Sequence, residues 1–355
     1  MFDTPADAQV QLAQHFSRPQ VETIVEALVP TLVFRPRPKG EGRLGGTRIG
    51  GTPDLPPGLA WPRRAKPADV EAIAKRGNAD AGAEMRRHFR TELPYAFFAQ
   101  VDLAEARGQA KERGNPAADL PGHGRLLFFY DLLAGPWDNG TGSTRMIWDE
   151  SPRDGLAAQP MPPDLAAAAD AHRTEIATVN RPFKRPVPKP DSGTPYGGPA
   201  RPMSLHASLR PPAVESLEAE ANMALKAALA SDAEGEGSFR DTYRDLFARA
   251  FDSYYGAANA GRRNQLLGSP LPEQGDPRFE AEVATRFGVQ HPARETVEAR
   301  RAEIEAAMPA WRLLLQIDVG DFLQENGEGT VYFLIRAADL AERRFDRVVA
   351  VYQQT

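Results

Sequence analysis

The chain writes one run of motifs twice, and this repetition restricts the possible folds more than any other feature. Gly51-Thr52-Pro53-Asp54-Leu55-Pro56 is matched by Gly268-Ser269-Pro270-Leu271-Pro272, and Phe97-Phe98-Ala99-Gln100-Val101-Asp102 by Leu313-Leu314-Leu315-Gln316-Ile317-Asp318. Gly51 to Gln100 spans 49 positions and Gly268 to Gln316 spans 48, so order and distance are both kept. A third pair follows, Gly124 to Phe129 against Gly329 to Leu334. The expectation is an α+β fold, internally duplicated, with two β-rich halves of largely antiparallel sheet sharing one body and helices packed outside. Half 1 covers about 30–150, a proline-rich connection about 180–212, and half 2 about 214–355, all within a single domain over 1–355.

Periodicity fills in the elements. Helices are predicted over 5–16 and 19–29, the second with Val21, Ile24, Val25 and Leu28 on one stripe. Leu32-Val33-Phe34 reads as a strand ended by Pro36 and Pro38. Residues 40–62 read as an ordered Gly/Pro loop, and 67–91 as a charged helical excursion. Short apolar runs at 95–103, 125–133, 311–318 and 329–336 read as buried strands, with further strands at Ile147-Trp148 and 347–352. Nine prolines between Arg181 and Pro212 predict a long extended connection. Helices follow at 214–230, 238–258 and 293–307; the middle one presents Phe239, Tyr243, Leu246, Phe247, Ala250, Phe251 and Tyr254 on one wide face.

Several classes of chemistry fall away on composition. With no cysteine, disulfides, thiolate zinc sites and cysteine nucleophiles are excluded. Six scattered histidines do not make a metal site; His172 and Glu175 share a helical face but supply too few ligands. A net charge of −5 gives no electrostatic reason to expect nucleic acid, although Arg181, Lys184, Arg185 and Lys189 form a local basic run. Neither a signal peptide nor a membrane span is legible, so a cytoplasmic location is expected. Gly40-Glu41-Gly42-Arg43-Leu44-Gly45 has dinucleotide-fingerprint spacing, but prolines follow where a helix would have to begin. No nucleophile elbow, Walker loop or His-Glu-x-x-His pair is present, and no cofactor is expected.

The candidate residues come from the repeated motifs. Gln100 with Asp102, and Gln316 with Asp318, each close an apolar strand with polar groups on one face. Two readings stand. Asp102 and Asp318 converge on a cleft between the halves as an acid/base pair, or each caps a following helix turn while its Gln satisfies backbone across the sheet. Symmetry favours the second, because a duplicated fold keeps twice what the fold needs twice. Arg48, in a glycine-rich loop, is set to grip an anion or to pair with Asp54. Trp61 and Trp311 read as core anchors, each with a ligand-platform alternative at a pocket rim. The candidate ligand-binding set is therefore Arg48, Asp54, Trp61, Gln100 and Gln316, with no metal site.

The run Leu44 to Pro56 through Trp61-Pro62, then Phe98 to Leu103, then Gly124 to Asp131, resembles the YwqG-like family, DUF1963. Leu266 to Pro270 with Gln274-Gly275-Asp276-Pro277, and Leu313 to Asp318 followed by Gly329 to Leu340, is similar to the same pattern. The chain departs from it at Gln324-Glu325-Asn326-Gly327-Glu328-Gly329, where a Trp-Gly-Asp element is usual, and in longer segments at 64–92 and 150–212. The resemblance implies an α+β bacterial protein without an established biochemical activity. It also suggests a role in toxin immunity or partner binding. The expected function is a non-catalytic protein-binding module; the alternatives are a hydrolase using the paired aspartates, and a small-ligand sensor.

Overall fold

Met203, Leu205, Ala207 and Leu209 alternate with Ser204, His206 and Ser208, the period of a strand with two different faces. That alternation governs the outcome: Arg201–Arg210 is a ten-residue strand at the centre of the sheet. It corrects the expectation of an extended connection over the whole of 180–212. Prolines bound the strand on both sides and occur inside it only at Pro202, near its start, where a missing donor costs least.

The structure, a computed structural model, describes residues 1–38, 40, 42–109, 113–231, 237–251, 262–288, 292–325 and 327–354, and side chains within these except 247–251. The strands are β1 (Val29–Pro36), β2 (Arg48–Ile49), β3 (Asp54–Leu55), β4 (Ala96–Asp102), β5 (Arg125–Tyr130) and β6 (Thr144–Asp149). They continue with β7 (Ala157–Ala158), β8 (Arg201–Arg210), β9 (Gln265–Leu266), β10 (Trp311–Asp318), β11 (Thr330–Arg336) and β12 (Val349–Gln353). Ten of them form one antiparallel sheet in the order β12-β11-β10-β9-β1-β8-β2-β4-β5-β6, and β3 pairs with β7 apart from it. Gly140, just before β6, bridges Ala350 of β12 with bonds of 2.8 and 3.1 Å, so the sheet curls until its two edges nearly close. The fold is α+β, as expected.

Read outward from the central β1–β8 pair, the order is the same on both sides: a two-residue strand, then a long one, then two more. β1 lies between β8 and β9, so the first strand's neighbours both come from beyond residue 200. Matching strands share matching irregularities. β4 carries a bulge between Phe97 and Ala99, and β10 carries one between Leu313 and Leu315. Each bulge turns two successive apolar residues toward the core and leaves the following Gln on the outer face.

The inside of the curled sheet is the main core, including Phe98, Val101, Phe128, Leu314, Ile317 and Phe333. Phe98 of β4 stacks on Phe322 from beyond β10 at 4.0 Å and 12°, a contact made across the core and worth about 1 kcal/mol beyond its burial. Helices cover the outside. Pro5–Leu12 and Arg18–Glu26, shorter than expected, join Met223–Ser231 and Phe239–Phe251 around Leu12, Ile24, Leu225 and Tyr243. Phe239, Tyr243 and Leu246 take their expected places there, whereas the side chains from Phe247 to Tyr254 lie outside those described. The excursion at 67–91 is helical, as expected, and consists of two short helices, Val70–Ala74 and Ala79–His88.

Helix Pro277–Phe287 is an addition to the expected elements. Asp276 caps it by accepting from the Arg278 N–H, and Pro277 fills the first turn, where its missing N–H costs nothing. Its Ala281 packs on the outer face of β10–β12 beside Trp311 and Val351.

Candidate functional site

The glutamine of each long strand organises the loop beside it. Gln100 Oε1 accepts from the Asp54 N–H at 3.0 Å, while Nε2 donates to Gly46 O at 3.0 Å and Asp54 Oδ2 at 3.1 Å. Gln316 does the same for the other loop, accepting from the Leu271 N–H and donating to Arg263 O, each at 2.9 Å. Both are fully buried, where an unpaired amide would cost on the order of 1–3 kcal/mol.

Asp102 and Asp318 are helix caps. Asp102 accepts from the Ala104 N–H at 3.2 Å and from Arg43 at 3.1 Å, and also takes Arg153. Asp318 accepts from the Asp321 N–H at 2.6 Å, and burial raises its carboxyl above the usual range. Four strands separate β4 from β10 in either direction around the curled sheet, so the two acids stand on opposite walls. The structure does not bring them together.

Arg48 pairs with Asp54, Nη2 to Oδ1 at 2.6 Å, and the Gly45 N–H donates to the same carboxylate at 2.7 Å. Arg48, Asp54 and Gln100 are thus one constellation; Trp61 and Gln316 lie elsewhere. Trp61 donates its indole N–H to Tyr95 O at 2.8 Å and packs edge-on against Phe97 and Phe129. Trp311 is buried and donates to Glu282 at 3.0 Å. The glycine-rich stretch at 42–47 runs into β2, not into a helix.

One ionic cluster has no counterpart in the repeated motifs. Buried Arg64 meets Asp131 at 2.8 Å and also holds Asp138, while His88 Nε2 lies 3.0 Å from Asp131. Burial alone would raise the Asp131 carboxyl, but His88 and Arg64 beside it hold it well below the usual range. Burial dominates at Asp138 and raises its carboxyl in spite of Arg64. Nothing in the sequence spacing joins residues 64, 88, 131 and 138.

An open cleft surrounds Glu280, on the first turn of helix Pro277–Phe287. A hollow of about 650 Å³ runs past Leu217, Phe279 and Met308, and one of about 340 Å³ past Trp137 and Tyr352. The two share Gln274, Glu280 and Gln353. Gln353 Nε2 donates to Glu280 Oε2 at 2.8 Å and to Gly275 O at 2.8 Å, and Gln353 Oε1 accepts from the Glu273 N–H at 3.2 Å. Burial, opposed by the Gln353 amide and reinforced by Asp276, pushes the Glu280 carboxyl up to about 7. The one sequence signal near this cleft is the Asp276-Pro277 helix start, which places Glu280 on a first turn without indicating an opening.

A family model for a domain of unknown function, DUF1963, matches residues 47–353. The chain belongs to the DUF1963 family. Gln100, Gln316, both capping aspartates and Glu280 fall inside the matched residues, while the two N-terminal helices and Gly45-Gly46 fall outside. No curated protein matches the chain. No helix among the described residues is long and apolar enough to cross a membrane, and no group of three or more His, Asp or Glu among them could hold a metal ion.

Proposed function

We propose that this DUF1963 protein is a binding module without catalytic activity that docks a protein partner through the corner at residues 179–189. Phe183 carries the reading. It is the one aromatic among the exposed large hydrophobics described, with 68% of its surface open, and Val179 and Val187 beside it in sequence are 54% and 44% open. Large apolar groups left open in a short stretch mark interaction surfaces more often than chance exposure.

The corner has a defined shape. The Arg185 N–H donates to Asn180 O at 3.1 Å, Asn180 Nδ2 donates to Pro186 O at 2.6 Å, and the Arg185 guanidinium lies 5.2 Å over the Phe183 ring. Arg181, Lys184, Arg185 and Lys189 are all exposed, and residues 181–190 contain no acid. An aromatic anchor among cations suits an acidic partner surface with an apolar pocket, the phenyl giving affinity and the charges rate and orientation. The family's resemblance to proteins encoded near secreted-toxin systems suggests a toxin as that partner. Binding is favoured over catalysis because Asp102, Asp318 and Arg48 are each engaged in a cap or an ion pair.

The test is co-purification of the tagged full chain from its native host. A stoichiometric neighbouring-gene product is expected with the wild type, weakened by 0.5 M salt, a condition under which about 3–4 Å of Debye screening removes surface steering. F183A combined with K184E and R185E should lose it with an unchanged melting temperature. Retention by the triple variant, or the absence of a stoichiometric partner, overturns the reading.

A further inference from the structure

Of the acids that line the larger hollow, Glu280 alone has no cationic partner among the described residues. Asp276 is paired with Arg278, which also holds Glu218, and Glu305 is paired at 3.3 Å with Arg301, which also holds Glu298. On the opposite wall Glu215 meets Arg244 at 3.2 Å and Glu220 meets Lys226 at 2.7 Å. Glu280 meets only the neutral Gln353 amide among the described residues, and it lines the hollow. On the far side Arg76 and Tyr352 line the smaller hollow; the Arg76 guanidinium is turned to Trp137 O at 2.6 Å.

The corresponding position in the other half is closed. Arg125 of β5 faces Asp149 of β6 just as Thr330 of β11 faces Gln353 of β12. In the first half the Arg125 Nε donates to Asp149 at 2.7 Å and both side chains are buried. In the second half neutral Thr330 and Gln353 take those places and the Gln353 amide reaches out to Glu280. The first half closes this place with a guanidinium on the strand itself, whereas in the second Thr330 donates to Glu273, which Arg263 pairs at 3.1 Å, and Glu280 is left with an amide.

We infer that the Glu280 cleft binds a small organic monocation, an alkyl ammonium or guanidinium compound, with its charge on Glu280, its N–H groups shared with Gln274 and Gln353, and its apolar stem along Phe279 and Met308. Glu280 is the lining carboxylate without a cationic partner among the described residues, so it is the group to which a ligand presents its cation. The cleft volume is in the range that small-molecule sites occupy, roughly 300–1,000 Å³. Phe279 already lies under a guanidinium, that of Arg301 at 5.2 Å, so its ring face is compatible with a cation. The inference rests on residues separate from the Phe183 corner and stands or falls independently of partner docking.

The experiment titrates the full chain with three probes on one stem, n-butylammonium, 1-butanol and butyrate, following the side-chain amide signals of Gln274 and Gln353 by NMR. Butylammonium should shift both signals saturably at pH 8, with butanol weaker and butyrate silent. Lowering the pH to 6 should weaken butylammonium about ten-fold, because a carboxyl pushed up to about 7 is mostly protonated there, and only the ionised form attracts the cation. E280Q keeps an acceptor for Gln353 and should remove the preference for butylammonium over butanol. Equal binding of the two in the wild type, no loss between pH 8 and 6, an unchanged preference in E280Q, or no saturable shift by any probe would each overturn the inference.

Discussion

Gln100 holds Asp54 at two points, accepting from its backbone N–H at 3.0 Å and donating to its carboxylate at 3.1 Å. The same side chain also ties down Gly46 O at 3.0 Å, so one residue on β4 fixes both arms of the loop that carries Arg48.

Gln100→Ala should therefore destabilise by about 3 kcal/mol, the sum of two stranded backbone groups and a small cavity. Gln316→Ala should cost a similar amount, because it serves Leu271 and Arg263 in the same way. Urea denaturation midpoints at constant m-value check this. A Gln316 variant as stable as the wild type would show that the two sites are not equivalent.

Gly124 and Gly329 start the strands after the two aspartate caps with φ of 78° and 87°. A Cβ at either would stand 2.4 Å from a carbonyl oxygen, of Asp149 and of Gln353 respectively. Gly124→Ala and Gly329→Ala should each lose at least about 2 kcal/mol in thermal or urea unfolding, since left-handed backbone and a backbone clash add. Gly122→Ala, whose Cβ meets nothing within 4 Å, should stay within about 0.5 kcal/mol of the wild type.

Asp131→Asn should lose about 3–5 kcal/mol by leaving Arg64, which keeps only Asp138, and His88 buried without the carboxylate they share. The Asp131 carboxyl is depressed in the folded state, so its contribution is present above the unfolded value of about 4 and is lost as pH falls below it. The gap between wild type and variant should consequently narrow from pH 6 to pH 3, as read by urea unfolding at each pH.

Glu280 has the opposite sign. Its folded-state carboxyl is pushed up to about 7 from 4.5, so the native state holds the proton longer than the unfolded chain does. Its charged form opposes folding: the penalty is absent well below pH 4.5, grows as pH rises toward 7, and is constant above that. Glu280→Gln should be more stable than the wild type at pH 8, by an amount on the order of 2–3 kcal/mol, and indistinguishable from it at pH 4. Thermal melts across that range decide it; equal melting temperatures at pH 8 would mean that the carboxylate is well solvated.

The paired motifs make both sheet flanks legible in the sequence, because each Gly and Asp in them has a local backbone duty that fixes residue type, while each Gln serves backbone 45 to 54 positions away, a distance the repeat preserves. A capping Asp at the end of an apolar strand reads as a cap because its partner N–H is two or three residues on. Arg201–Arg210 was hidden by the prolines around it, although the alternation of Met203, Leu205, Ala207 and Leu209 carries the strand period. Helix Pro277–Phe287 was hidden because Asp276 and Pro277 also read as a turn.

What the amino-acid order determined by itself is local: strand runs, bulge-bearing Phe-Phe-Ala and Leu-Leu-Leu segments, caps, and the absence of thiol chemistry. Tertiary structure decided which strands are neighbours, so that β1 sits beside β9, and which charges meet, so that Arg64 finds Asp131 and Glu280 finds, among the described residues, only the Gln353 amide. The physical reason is range. A cap or a turn is satisfied within four residues of chain, whereas burial and charge pairing depend on residues tens to hundreds of positions apart, and their free energy exists only once the sheet has curled and brought them together.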